Sequence, residues 1–131
     1  MRAWMIPALG GVPVPTDHPK PFPAEGEVLV RVVAAGLNFA DLLMIEGRYQ
    51  ERPTYPYTPG MEVAGTIEVL GPEVTGLAVG DRIAVFAGQG ALAECGVFRA
   101  DRSCKALQTR YRAMARSSCE SVRLDSTLPI F

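Results

Sequence analysis

Apolar and polar positions alternate with a period of two between residues 61 and 70. Val63, Ile67 and Val69 fall on one side with Gly65, while Glu62, Thr66 and Glu68 fall on the other. That alternation predicts a strand with one face in a core and the other turned to water or a partner. The β-branched run at 28–33 predicts a second strand, in which Arg31 marks a partly solvated face. Residues 82–87 set Ile83 and Val85 on one side and predict a third, and residues 3–9 are apolar enough for an opening strand. One stretch breaks the period: residues 39–46 read as a short helix opened by Asn38 and stopped at Gly47.

Punctuation separates these elements. Residues 10–24 carry prolines at 13, 15, 19, 21 and 23, which predicts an extended loop, since proline fixes φ and donates no hydrogen bond. Gly71-Pro72 and Gly80-Asp81 predict turns, and the loop at 48–59 mixes tyrosines with prolines. Short strands separated by such turns predict a mainly β, barrel-like domain with a short helix. The text Gly88-Gln89-Gly90-Ala91-Leu92-Ala93 matches G-x-G-x-x-A. A dinucleotide fingerprint opens a helix and has an acid about 20 residues further on. Here the apolar spacing fits no helical face and Gly96 follows, so a hairpin turn is expected.

A chain of 131 residues is the size of one domain and buries roughly two thirds of its unfolded surface. Thirteen basic and fourteen acidic residues nearly cancel, and the basic ones form no stripe, which argues against a nucleic-acid partner. No apolar run reaches the roughly 20 residues of a membrane-crossing helix, and Trp4-Met5-Ile6-Pro7 at the start is unlike an export signal. A cytoplasmic protein with no membrane partner is therefore expected. Cys95, Cys104 and Cys119 fit neither a disulfide framework nor a zinc-ligand pair and are expected to be reduced thiols.

Candidate chemistry lies between residues 34 and 65, where polar side chains are held between two apolar runs. Asn38 followed three positions later by Asp41 is the pattern of a helix N-cap with a carboxylate in the first turn, which accounts for both residue types without a ligand. Tyr49, in a proline-rich loop, fits a rim residue that buries its ring and wets its hydroxyl. Tyr55 and Tyr57 read as packing. Gly60 suits a turn and Gly65 a close backbone approach. A buried Glu62 would need a partner, with Arg48 and Arg82 as candidates. His18, alone among prolines, reads as a solvated loop residue.

Three pieces in order, Ala34-Ala35-Gly36-Leu37-Asn38-Phe39-Ala40-Asp41, then Gly47-Arg48-Tyr49, then Pro59-Gly60-Met61-Glu62-Val63-Ala64-Gly65 running on to Gly71 and Gly80-Asp81-Arg82, resemble the zinc-independent quinone oxidoreductases of the medium-chain dehydrogenase/reductase superfamily. The match covers roughly residues 1–101. It implies a GroES-like irregular β-barrel with short helices as the catalytic domain, and hydride transfer from NADPH to a quinone or similar electron-poor carbonyl. By the resemblance, Asn38 and Tyr49, eleven residues apart, line the nicotinamide-side cleft as catalytic residues. Asn38, Asp41 and Tyr49 then serve as cofactor contacts, and full-length relatives are homodimers. Where relatives hold a catalytic zinc, through a cysteine and a histidine, this chain has Asn38 and Met61, so no metal is expected.

The text changes after residue 101. Residues 104–131 hold four arginines and four serines without apolar alternation, and the helix expected to lead into a Rossmann domain is not legible. The expectation is a domain at 1–101, an aberrant or divergent and loosely packed tail at 102–131 with a short amphipathic helix at 105–116 as the other account, and no Rossmann domain in this chain. On that account the chain is a truncated or frameshifted product, inactive without its nucleotide-binding part. The alternative function is a non-enzymatic GroES-like binding module.

Overall fold

The computed structural model describes residues 1–105. Within them, seven strands and one α-helix follow one another in the order β1 (Arg2–Met5), β2 (Val14–Asp17), β3 (Glu27–Gly36), α1 (Phe39–Ile45), β4 (Glu62–Leu70), β5 (Arg82–Phe86), β6 (Cys95–Arg99) and β7 (Ser103–Lys105), with a 3-10 turn at Ala100–Arg102 before β7. These strands pair antiparallel: β1 with β2 in a small sheet, and a five-stranded sheet ordered β6-β3-β4-β5-β7. The two sheets do not close on one another. They are stitched by a bridge between Ala3 and Ala93 and by amide bonds from Trp4 to the Leu92 carbonyl, 2.8 Å, and from Glu94 to the Arg2 carbonyl, 3.0 Å.

β4 forms where alternation predicted it, but its phase slips once. Leu29 faces Val69 and Val30 faces Ile67, so Glu68 is an extra residue in β4. Past that bulge the inward side changes parity. Val69 stands 38% exposed and Leu70 packs against the core in its place, which corrects the expected position of Val69. A matching slip at Val33 in β3, between Val32 opposite Gly65 and Ala34 opposite Ala64, carries the inward set from Val28, Val30 and Val32 to Ala35. Lys20 and Arg31 both ion-pair with Glu68 at the first bulge, at 2.5 and 3.7 Å.

The main core lies on the inner face of the large sheet, where Val28, Val30, Val63, Ile67, Ile83 and Val85 meet Leu92 and Phe98. Burying each such side chain stabilises the fold by roughly 1.5–3 kcal/mol. A second, smaller core joins Ile6, Met44, Tyr57 and Met61 beneath α1. This second core holds the helix in place.

Two expectations are corrected by the topology. β2 lies inside the stretch expected to be loop, because Pro15 sits opposite Trp4 in a two-stranded ribbon, where a missing amide is tolerated at an edge. The segment at 88–93 is a turn but not a hairpin: β5 pairs with β4 and β7, whereas β6 pairs with β3, so the segment crosses the end of the sheet. β6, and β7 beyond residue 101, carry too few residues to show a period. Lys105 at the end of β7 ion-pairs with Asp81 at 2.8 Å. The amphipathic helix expected from residue 105 onward, the loose packing of the tail and Cys119 lie outside the described residues, apart from Lys105 itself.

Candidate functional site

α1 is the short helix expected at 39–46, and both its ends are built by local chemistry. Asn38 stands at the N-cap with extended backbone, and Asn38 and Asp41 make a capping box. The Asn38 main-chain amide donates to Asp41 Oδ2 at 2.8 Å, and the Asp41 main-chain amide donates to the Asn38 main-chain carbonyl at 2.9 Å. Glu46 caps the C-terminus, and Gly47 follows at φ 69°.

Asp41 does more than cap. Its side chain is 2% exposed, and its other oxygen, Oδ1, accepts from the Gly60 amide at 2.9 Å. The carboxylate therefore clamps the start of the helix to the turn that leads into β4. Gly60 is at φ 102°, and a Cβ there would stand 2.8 Å from the Ala91 Cβ, so the turn admits only glycine. Both oxygens of Asp41 are committed to backbone amides, which fits the cap reading of the sequence.

Asn38 is half-buried at the mouth of this clamp. Tyr49 is also half-buried and packs against the second core, with its amide bonded to the Leu43 carbonyl at 3.2 Å. Tyr55 and Tyr57 meet edge to face at 5.5 Å, and Tyr55 donates its hydroxyl to the Met44 carbonyl at 3.3 Å. Tyr57 packs as expected, yet its hydroxyl is buried with no hydrogen-bond partner. Burial first, then the neighbouring Tyr55 and Asp41, push its pKa up to about 12. No sequence signal could have flagged this, because a hydroxyl's partners come from the tertiary fold.

Met61 is 4% exposed in the second core, with its thioether among Ile6, Met44 and Tyr57. Among the described residues no group of three His, Cys, Asp or Glu could hold a metal ion. His18 is exposed, its ring beside the Pro19 carbonyl at 3.1 Å. Glu62 is half-buried, and of its two candidate partners Arg48 pairs with Glu46 instead, at 3.2 Å. The glycine-rich segment at 88–93 is not helical, with Gly88 at φ 79° and Gly90 at φ 97°, so it offers no helix N-terminus to a pyrophosphate. Two open depressions flank α1. One of about 480 Å³ is lined by Phe39, Leu42, Leu43, Glu46 and Arg48, and one of about 300 Å³ reaches from Met44 to Arg102.

Comparison with known proteins gives these features a context. The alcohol dehydrogenase GroES-like domain family matches residues 24–120. A synaptic vesicle membrane protein VAT-1 homolog of Danio rerio is 46% identical over 87 residues, 64% of this chain and 18% of that protein. The quinone oxidoreductase of Lama guanicoe is 41% identical over 86 residues, 63% of this chain and 26% of its own. Among solved structures, the quinone oxidoreductase of Thermus thermophilus, also determined with NADPH, superposes with a TM-score of 0.71 at 40% identity, over 82% of this chain and 33% of that one. The chain thus spans about a quarter or less of those two curated relatives. Among the described residues no helix is long and apolar enough to cross a membrane.

Proposed function

This chain belongs to the alcohol dehydrogenase GroES-like domain family, in the medium-chain dehydrogenase/reductase superfamily of the quinone oxidoreductases and VAT-1 homologues, and we propose that it is the cleft-lining N-terminal part of a zinc-independent, NADPH-dependent quinone oxidoreductase. The observation that supports the reading is the clamp of Asp41 on the main-chain amides of Asn38 and Gly60, which fixes the backbone that carries the half-buried Asn38 side chain. In our reading the domain takes in β7.

The donor set suits one end of the cofactor. Asn38 offers a side-chain amide and Tyr49 a hydroxyl, the groups that hold a ribose hydroxyl or a carboxamide, while the glycine-rich segment at 88–93 has no helix N-terminus for the pyrophosphate. NADPH, bound by the whole protein, supplies the hydride. This chain's part is to orient the nicotinamide side and to donate a hydrogen bond to the substrate oxygen that gains charge. Asp41 acts as a positioning residue that holds Asn38. Zinc-independence is supported by Met61, whose thioether is committed to the second core.

The test substitutes residues 1–105 for the matching segment of the Thermus thermophilus quinone oxidoreductase. The chimera should reduce a simple benzoquinone with NADPH. Asn38→Ala and Tyr49→Phe should each lower kcat by about 100- to 1,000-fold, the scale of a lost transition-state hydrogen bond, whereas Tyr57→Phe should leave it within about twofold. A folded, NADPH-binding chimera in which Asn38→Ala and Tyr57→Phe are equally harmless would refute these roles.

A further inference from the structure

The depression of about 300 Å³ is lined by Met44, Glu51, Arg52, Pro53, Thr54, Ala87, Gly88, Gln89 and Arg102. Its two arginines differ in electrostatic situation from most of the other cations. Arg2, Lys20, Arg31, Arg48, Arg99 and Lys105 each ion-pair with a carboxylate. Arg52 and Arg102 make no ion pair among the described residues. The carboxylate beside Arg102 in sequence, Asp101, is already held by Arg99 at 3.2 and 2.7 Å through two nitrogens. Glu51 is the acidic group in the lining, so the formal charge of the pocket is positive.

Two different parts of the fold bring these cations to one place. Arg52 comes from the loop after α1 and Arg102 from the 3-10 turn before β7, some fifty residues later. Two cations that line one depression make it attractive to an anion, which can take several directed N–H donors at once. Thr54 and Gln89 add a hydroxyl and an amide to the lining, and Met44, 3% exposed, is an apolar residue of it.

We propose that this pocket binds a phosphate monoester, the phosphate between Arg52 and Arg102 and a small apolar body over Met44. The volume is at the low end for ligand pockets, which suits a phosphate and one ring rather than a dinucleotide. The site does not require hydride transfer, and it holds or fails independently of the roles of Asn38 and Tyr49.

The test titrates the full 131-residue chain with phenyl phosphate at constant ionic strength, at a pH where the ester is a dianion, and follows backbone amide shifts. Thr54, Gly88 and Gln89 should move and saturate with a dissociation constant in roughly the millimolar range or below. Arg52→Gln and Arg102→Gln should each weaken binding by about tenfold. Both side chains are exposed, so the variants should fold, as retained amide dispersion will verify. Arg2→Gln, on a side chain paired with Glu94 outside the pocket, should leave binding unchanged. Inorganic phosphate should compete more weakly, because it lacks the ring. Absence of saturation, equal weakening by Arg2→Gln, no effect of the pocket variants, or equal affinity for the two phosphates would each overturn the proposal.

Discussion

At the scale of single residues, the clearest functional distinction is between Asp41, whose two carboxylate oxygens are both used, and Tyr57, whose hydroxyl is not. Replacing Asp41 by alanine strands the buried Gly60 amide and removes half of the capping box. Urea unfolding should register a loss of about 2–4 kcal/mol, and Asp41→Asn, which keeps one acceptor, should lose less. Tyr57→Phe removes a hydroxyl that has no partner, so stability should stay level or rise by up to about 1 kcal/mol. The same residue predicts a pH effect. Its folded-state pKa of about 12 lies above the ordinary tyrosine value of 10.0. The unfolded chain therefore gives up this proton first, and the contribution to stability is full below about pH 10 and lost as pH rises toward 12. Unfolding followed against pH should show that fall in the native protein and lack it in Tyr57→Phe. The capping role of Asp41 was legible in the sequence, since Asn and Asp three apart are a local signal. Its bond to Gly60, nineteen residues on, was not.

At the scale of elements, β4 was legible from its period and α1 from its ends at Asn38 and Gly47, and the bulges were not. A strand's sequence records which positions are apolar, but the two-against-one count at Glu68 depends on what β3 places opposite. Hence Val69 reads as core and stands exposed. Gly65 gives this pairing a sharp test. A Cβ there would come within 2.3 Å of the Arg31 carbonyl and 2.5 Å of the Val30 side chain, and the first of these is backbone that cannot move aside. Gly65→Ala should therefore lower stability by about 3 kcal/mol or more, read as a lower urea midpoint with lost amide dispersion along β3 and β4. The prolines that made β2 look like loop are tolerated because it pairs on one side only. Propensity alone does not reveal which strand is an edge.

At the scale of the whole molecule, the mainly β architecture followed from short strands and turn residues, while the strand order did not. β6 and β5 are neighbours in sequence yet lie on opposite sides of the β3–β4 pair, with the glycine-rich segment crossing between them. That crossing is why a string matching a dinucleotide fingerprint has no helix behind it. On the proposed function, the domain offers donors for the nicotinamide end of the cofactor and, in its glycine-rich segment, no helix N-terminus for the pyrophosphate, so another domain must complete the cleft it lines. The most direct measurement compares NADPH binding and quinone-dependent NADPH oxidation by the purified 131-residue chain with the Thermus chimera. The account predicts binding by the chain alone no tighter than roughly millimolar, since a half-cleft supplies only a few hydrogen bonds, with no turnover, and turnover in the chimera. Robust NADPH oxidation by the chain alone, at a purity that excludes a contaminating reductase, would contradict it.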